Sequence, residues 1–196
     1  TCFFGLRPFA PALHKILISE TGERLFLPGN WDGGVYETFR LSESDWRFVE
    51  GFDAVGMISI DPNYPAMLER RRPGQKLFVD FLSRSSLEQV ATDMNRVDVA
   101  QISGSRETAE ALLARTRETD CVVLVTLGAE GSLALHRGEL CEQPAAEVDE
   151  VVDTTGCGDA YAGAFMTSWL ADGDIPRAMA RGADAAAWVL GHVGAV

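Results

Sequence analysis

The chain is expected to fold as an α/β protein, a doubly wound and mostly parallel sheet flanked by helices. Three observations predict it. From position 42 onward, short apolar runs alternate with amphipathic runs across short connections, the mark of repeated strand–helix units. Val122-Val123-Leu124-Val125-Thr126 is nearly all β-branched and apolar, as a parallel strand covered on both faces must be. Asp153-Thr154-Thr155-Gly156-Cys157-Gly158-Asp159 places two glycines and a carboxylate at a handover. Val148, Val151 and Val152 before it read as strand; Tyr161, Phe165 and Trp169 after it recur at helical spacing.

The elements follow in order. Residues 1–13 carry no clear pattern. Lys15–Ser19 and Arg24–Leu27 flank Glu20-Thr21-Gly22-Glu23 as a hairpin, and Gly29–Gly34 reads as a loop. Ser42 to Val49 opens with a Ser-x-x-Asp cap and reads as a helix. Then come strand Ala54–Ile60, helix Asn63–Arg72, strand Lys76–Phe81, helix Leu87–Asn95 and strand Val97–Ile102. Ser105–Thr116 is a helix with Ala109, Leu112 and Leu113 on one face. Gly131–His136 and Glu139–Gln143 are strands joined at Arg137-Gly138. Gly158–Ala171 is a helix stopped near Gly173, and Pro176 after Asp174 opens a last helix to Leu190.

A net charge of −12 argues against nucleic acid or an anionic membrane as partner. No apolar run reaches the length of a membrane span. Four cysteines without a C-x-x-C pair fit a reducing compartment, the cytoplasm. His14, His136 and His192 lack zinc spacing, and there is no Gly-x-x-x-x-Gly-Lys-Ser/Thr loop.

The run at 153–159 carries the chemistry. Glycines let the backbone turn tightly, so successive N–H groups can converge on one anion at a helix N-terminus. Asp159 falls in the first helical turn, where it could take a proton from an attacking hydroxyl. The plain alternative is a glycine-rich turn capped by an aspartate.

This run resembles the second signature of the ribokinase-like (PfkB) carbohydrate kinases, whose usual core is Gly-Ala-Gly-Asp; Cys157 stands where alanine is commoner. The resemblance implies Asp159 as catalytic base and Gly156, Cys157 and Gly158 as the anion hole. Thr126-Leu127-Gly128-Ala129-Glu130-Gly131 resembles the same family's nucleotide-binding run, which implies Thr126, Gly128 and Gly131 at the nucleotide; a structural strand–glycine turn is the alternative. Glu107 matches the glutamate of the family's Asn-x-x-Glu, which organises water around Mg²⁺, although Gly104 replaces the asparagine. The alternative is a helix-start glutamate favoured by the dipole.

Asp80-Phe81-Leu82-Ser83-Arg84 resembles Asp-x-Asn-x-Arg, with Leu82 breaking the pattern. Asp153 and Thr155 match positions that contribute oxygens to a monovalent cation site, K⁺ being the candidate; for Asp153 the alternative is a turn residue. Within the family, the hairpin, the Gly29–Val35 loop and the end after Gly194-Ala195 resemble fructoselysine 6-kinase-like sugar kinases.

The resemblance implies ATP and Mg²⁺ as cofactors and a small sugar as acceptor. It allows a homodimer. Residues 1–35 are expected to be an N-terminal segment with a hairpin lid, and 36–196 the nucleotide-binding and catalytic domain. The family's sugar-binding Asp and Gly-Gly segment find no counterpart, so an N-terminal portion is expected to be missing. Two other readings stay open: a nucleoside kinase of the same superfamily, and a non-catalytic nucleotide-binding remnant.

Overall fold

The computed structural model describes residues 13–18, 24–32, 37–83 and 85–194. Two strands, β1 (Leu13–Ile18) and β2 (Arg24–Asp32), pair antiparallel as their own two-stranded sheet. The expected hairpin is therefore present. The loop expected from Gly29 is not: β2 runs on to Asp32, with Trp31 opposite His14 and an irregular register between His14 and Ile16 that absorbs the extra residues. Gly33 and Gly34, the hairpin turn, and residues 1–12 lie outside the described residues.

A second sheet holds six strands in the order β3 (Ala54–Ile58), β4 (Lys76–Asp80), β5 (Val99–Ser103), β6 (Val122–Thr126), β7 (Ser132–His136) and β8 (Glu139–Gln143). β3 to β6 are parallel; β7 and β8 return antiparallel. The helices α1 (Glu43–Val49), α2 (Tyr64–Arg70), α3 (Leu87–Asp93) and α4 (Arg106–Leu113) supply the connections. α5 (Cys157–Asp172) and α6 (Ile175–Leu190) follow the sheet.

Strand alternation divides the core in two. Leu77, Val79, Ala100, Ile102, Val123 and Val125 pack with Trp46, Met67, Val90 and Leu112 from α1 to α4. Phe78, Val99, Val122 and Leu124 point the other way, onto Tyr161 and Phe165 of α5 and Met179 of α6. The sheet is thus covered on both faces, which explains why β6 is apolar at every buried position. Tyr161 reaches through this second layer and its hydroxyl pairs with Ser132 Oγ at 2.8 Å, tying α5 to β7.

The helix ends obey local chemistry. Ser42 and Ser105 form capping boxes, Ser86 and Asp174 cap by side chain, and Gly173 closes α5 in the left-handed region. One expectation fails: Val148–Val152 form no strand. The N–H groups of Val152 and Asp153 donate instead to Leu190 O, at 2.8 and 3.4 Å. The segment satisfies its donors on an orphan carbonyl at the end of α6. Val148 and Val151 stay largely exposed. Among the described residues no helix is long and apolar enough to cross a membrane.

Candidate active site

The C-terminal ends of the parallel strands carry the residues of interest, as open α/β sheets require. α5 begins there. Its N-cap is Gly156, at φ 85°, and no side chain caps it. An L-residue pays sterically in that region, so glycine at 156 is what lets the loop enter the helix. Gly158 does not share this constraint: it lies outside the left-handed region, and a Cβ there would meet only Gln101 Nε2, at 3.9 Å. No side chain caps the first turn of this 16-residue helix; the Cys157 N–H donates to Thr154 O at 3.4 Å.

The loop before α5 is braced by Asp153, which is 2% exposed. Its Oδ1 accepts from Thr155 N–H at 2.8 Å and Thr155 Oγ1 at 2.7 Å, and its Oδ2 accepts from Gly194 N–H at 2.9 Å. This carboxylate is used in holding 153–155 against the end of α6.

Asp159 lies in the first turn of α5 and lines a cavity of about 320 Å³ between α5 and strands β3 to β6. Phe78, Val99 and Met166 supply apolar wall; Asp80 and Gln101 supply polar groups. Asp80 ends β4, and its Oδ1 accepts from Leu82 N–H at 2.7 Å. Burial pushes the Asp80 carboxyl above its ordinary range; the Leu82 hydrogen bond opposes this and the nearby Asp159 charge adds to it. The structure thus brings Asp80, noted in the sequence for its broken Asp-x-Asn-x-Arg pattern, to the same cavity as Asp159. Arg84 lies outside the described residues.

The turn expected at the nucleotide forms at the end of β6. Gly128–Glu130 make one 3₁₀ turn, and Leu127 N–H donates to Gly131 O at 2.8 Å. Gly131 has φ 101°, and a Cβ on it would stand 2.1 Å from Gln143 O, so this position demands glycine twice over. Thr126 Oγ1 donates to Ser103 Oγ at 3.2 Å, and Gly104 N–H to Thr126 O at 3.1 Å, which joins the ends of β5 and β6. Glu107 follows in the first turn of α4. A hydrogen bond from Ser105, then one from its own N–H, hold its carboxyl below the usual range.

Gln101 was missed by sequence reasoning. It sits in the middle of β5 at 4% exposure, and its Nε2 donates to Gly158 O at 3.3 Å. The available signal was a lone amide inside the otherwise apolar run Val99–Ile102.

Comparisons with known proteins bear on the family and the fold. The profile of the pfkB family carbohydrate kinases matches residues 88–196. Fructoselysine 6-kinase of Shigella flexneri is 30% identical over 179 residues, which cover 88% of this chain and 66% of that protein. Fructosamine kinase FrlD of Bacillus subtilis (strain 168) is 28% identical over 190 residues, 92% of this chain and 64% of that protein. The chain thus spans just under two thirds of the length of these relatives. Among solved structures, Arabidopsis thaliana ribokinase complexed with ribose and ATP superposes with a TM-score of 0.72 at 18% identity, over 92% of this chain and 63% of that one. Burkholderia thailandensis nucleoside kinase in complex with inosine superposes at 0.75 and 14% identity, over 96% and 63%. At such identities the superpositions speak for the fold.

Proposed function

The chain belongs to the PfkB family of carbohydrate kinases, and from that premise we propose that the protein transfers the γ-phosphoryl group of ATP to a sugar hydroxyl, with Asp159 as general base. The observation that carries this reading is the placing of Asp159 in the first turn of an uncapped α5, directly after left-handed Gly156 and facing a cavity at the strand ends. In the reaction the acceptor oxygen bonds to the γ-phosphorus and the bond from that phosphorus to the β-bridging oxygen breaks. ADP leaves, and the hydroxyl proton passes to the Asp159 carboxylate. The N–H groups of residues 156–158 donate to the phosphoryl oxygens as their charge spreads. Thr126, Gly128 and Gly131 line the nucleotide's approach at the end of β6.

Glu107 suits Mg²⁺. It is an exposed and ionised carboxylate, and no cluster of three or more acidic, histidine or cysteine ligands exists among the described residues. That donor set matches an ion that keeps its waters and takes one carboxylate plus phosphates. Bound there, Mg²⁺ would neutralise phosphate charge. Asp153 and Thr155 are assigned to hold the loop and to offer carbonyl or carboxylate oxygens to K⁺.

Residues 1–35 are assigned as an N-terminal segment whose β1–β2 hairpin is a lid, and 36–196 as the nucleotide-binding and catalytic domain. The acceptor is assigned to the ketose or fructosamine class, on the likeness to fructoselysine 6-kinase and fructosamine kinase. A cytoplasmic setting fits four cysteines without paired spacing.

The test is phosphoryl transfer by the full-length protein, followed as ADP release and as phosphorylated product, on ketoses, fructosamines and nucleosides with ATP and Mg²⁺. Turnover on a ketose or fructosamine is expected. Turnover on nucleosides alone would move the assignment to a nucleoside kinase. Nucleotide binding with no transfer to any acceptor would leave a non-catalytic nucleotide-binding protein.

A further inference from the structure

Of the four buried residues of β5, Gln101 alone is polar. It faces α5 with Val99, and its in-register neighbours are Asp80 on β4 and Leu124 on β6. Its Nε2 donates to Gly158 O at 3.3 Å. A carbonyl only accepts, so this contact fixes which way the amide points. Gln101 Oε1 is then buried with no hydrogen-bond partner. A leucine or methionine would fill the site without that orphan atom, so an amide here requires an account.

The account lies in what the amide holds. Gly158 is in the first turn of α5, beside Asp159, and the end of that helix has no side-chain cap. A backbone carbonyl has two lone pairs, so the Gln101 amide can bond Gly158 O in addition to the helical N–H. This bond crosses from the sheet to the helix at the level of the reacting groups.

We propose that Gln101 is a positioning residue for phosphoryl transfer: its amide pins the first turn of α5 to β5 and so sets where the Asp159 carboxylate and the neighbouring N–H groups point. The proposal rests on the phosphoryl-transfer reading above. Gln101 itself touches neither reacting atom.

The variant Gln101→Met keeps shape and removes both polar atoms; Gln101→Leu is its companion. The expected result is a fall in kcat on the order of 10–100-fold, the penalty of a small misplacement, with KM for ATP within roughly twofold of wild type. The thermal midpoint is expected to hold or rise, because the orphan oxygen goes too. Hydrogen exchange is expected to quicken at the amides of the first turn of α5 and to stay unchanged along α6.

Wild-type kcat in Gln101→Met would overturn the proposal. So would a loss of kcat that merely accompanies a lowered midpoint, or failure of both variants to fold, since Gln101 would then be a structural residue. The exchange readout separates this idea from its premise. If the wild-type chain transfers no phosphoryl group, the functional reading fails, while quickened exchange still supports the brace and unchanged exchange sinks it.

Discussion

Two residues near the site carry opposite lessons about the left-handed region. Gly156 occupies it at φ 85° and suits it. Gly156→Ala should cost about 1–2 kcal/mol of stability and lower turnover, because the anion loop must shift. Gly158→Ala should stay within about 1 kcal/mol of wild type, since its Cβ has room. Thermal unfolding and turnover of the two variants decide this, and equal damage would refute it. Leu82 occupies the same region at φ 57°, where leucine is strained. The pattern it interrupts, Asp-x-Asn-x-Arg, has asparagine there, which tolerates the conformation. Leu82→Asn should therefore raise stability by about 0.5–1 kcal/mol, read as a higher denaturant midpoint. A lower midpoint would mean that the packing of the leucine outweighs its backbone strain.

At the scale of elements, Asp98 ties the ends of three elements together. It accepts from Arg71 at the end of α2 at 2.8 Å, from Lys76 at 2.8 Å and from Leu77 N–H at 3.0 Å at the start of β4, just before β5 begins. Burial alone would raise its pKa, but these partners outweigh it and hold the carboxyl below the ordinary value. A folded-state pKa below the unfolded one stabilises above the unfolded value, about 3.9, and that contribution is lost as pH falls through the folded value. Asp80 has the opposite sign: its raised pKa penalises the fold at neutral pH, and the penalty lifts on acidification. Asp98→Asn should cost about 1–3 kcal/mol near pH 7, discounted for partly exposed partners. It should also flatten the acid-side fall in stability. Denaturant midpoints from neutral to acidic pH measure both, and an unchanged acid limb would contradict the assignment.

The same scale shows what could be read in the chain and what could not. β6 was legible because five apolar or β-branched residues in a row leave few other structures. α5 and its loop were legible because glycine, cap and carboxylate act locally. Helix ends moved by one to three residues, the largest shift at α4, where the chain tightens into a 3₁₀ turn over Ala114–Glu118. Val148–Val152 misled because alternating valines look the same whether their N–H groups meet a strand or, as here, the end of α6. Gln101 was illegible because its partner, Gly158, lies 57 residues further on. β2 ran past Gly29-Asn30 because Trp31 and Asp32 pair with β1 beyond the irregularity that takes up those two residues.

Across the described residues, two helix layers pack on the six-stranded sheet, and the proposed general base lies on the α5 side. The face covered by α1 to α4 is apolar core; the face under α5 holds Phe78 and Phe165 but ends in Asp80, Gln101 and Asp159. The sheet is the rigid support that lets a helix N-terminus and a carboxylate share one cavity mouth. The measurement that tests this most directly compares wild type with Asp159→Asn for phosphoryl transfer and for ATP binding on the same preparations. Turnover should fall by on the order of 10²–10⁴-fold, the worth of a general base, while ATP affinity stays close to wild type. Wild-type turnover in Asp159→Asn would contradict the account.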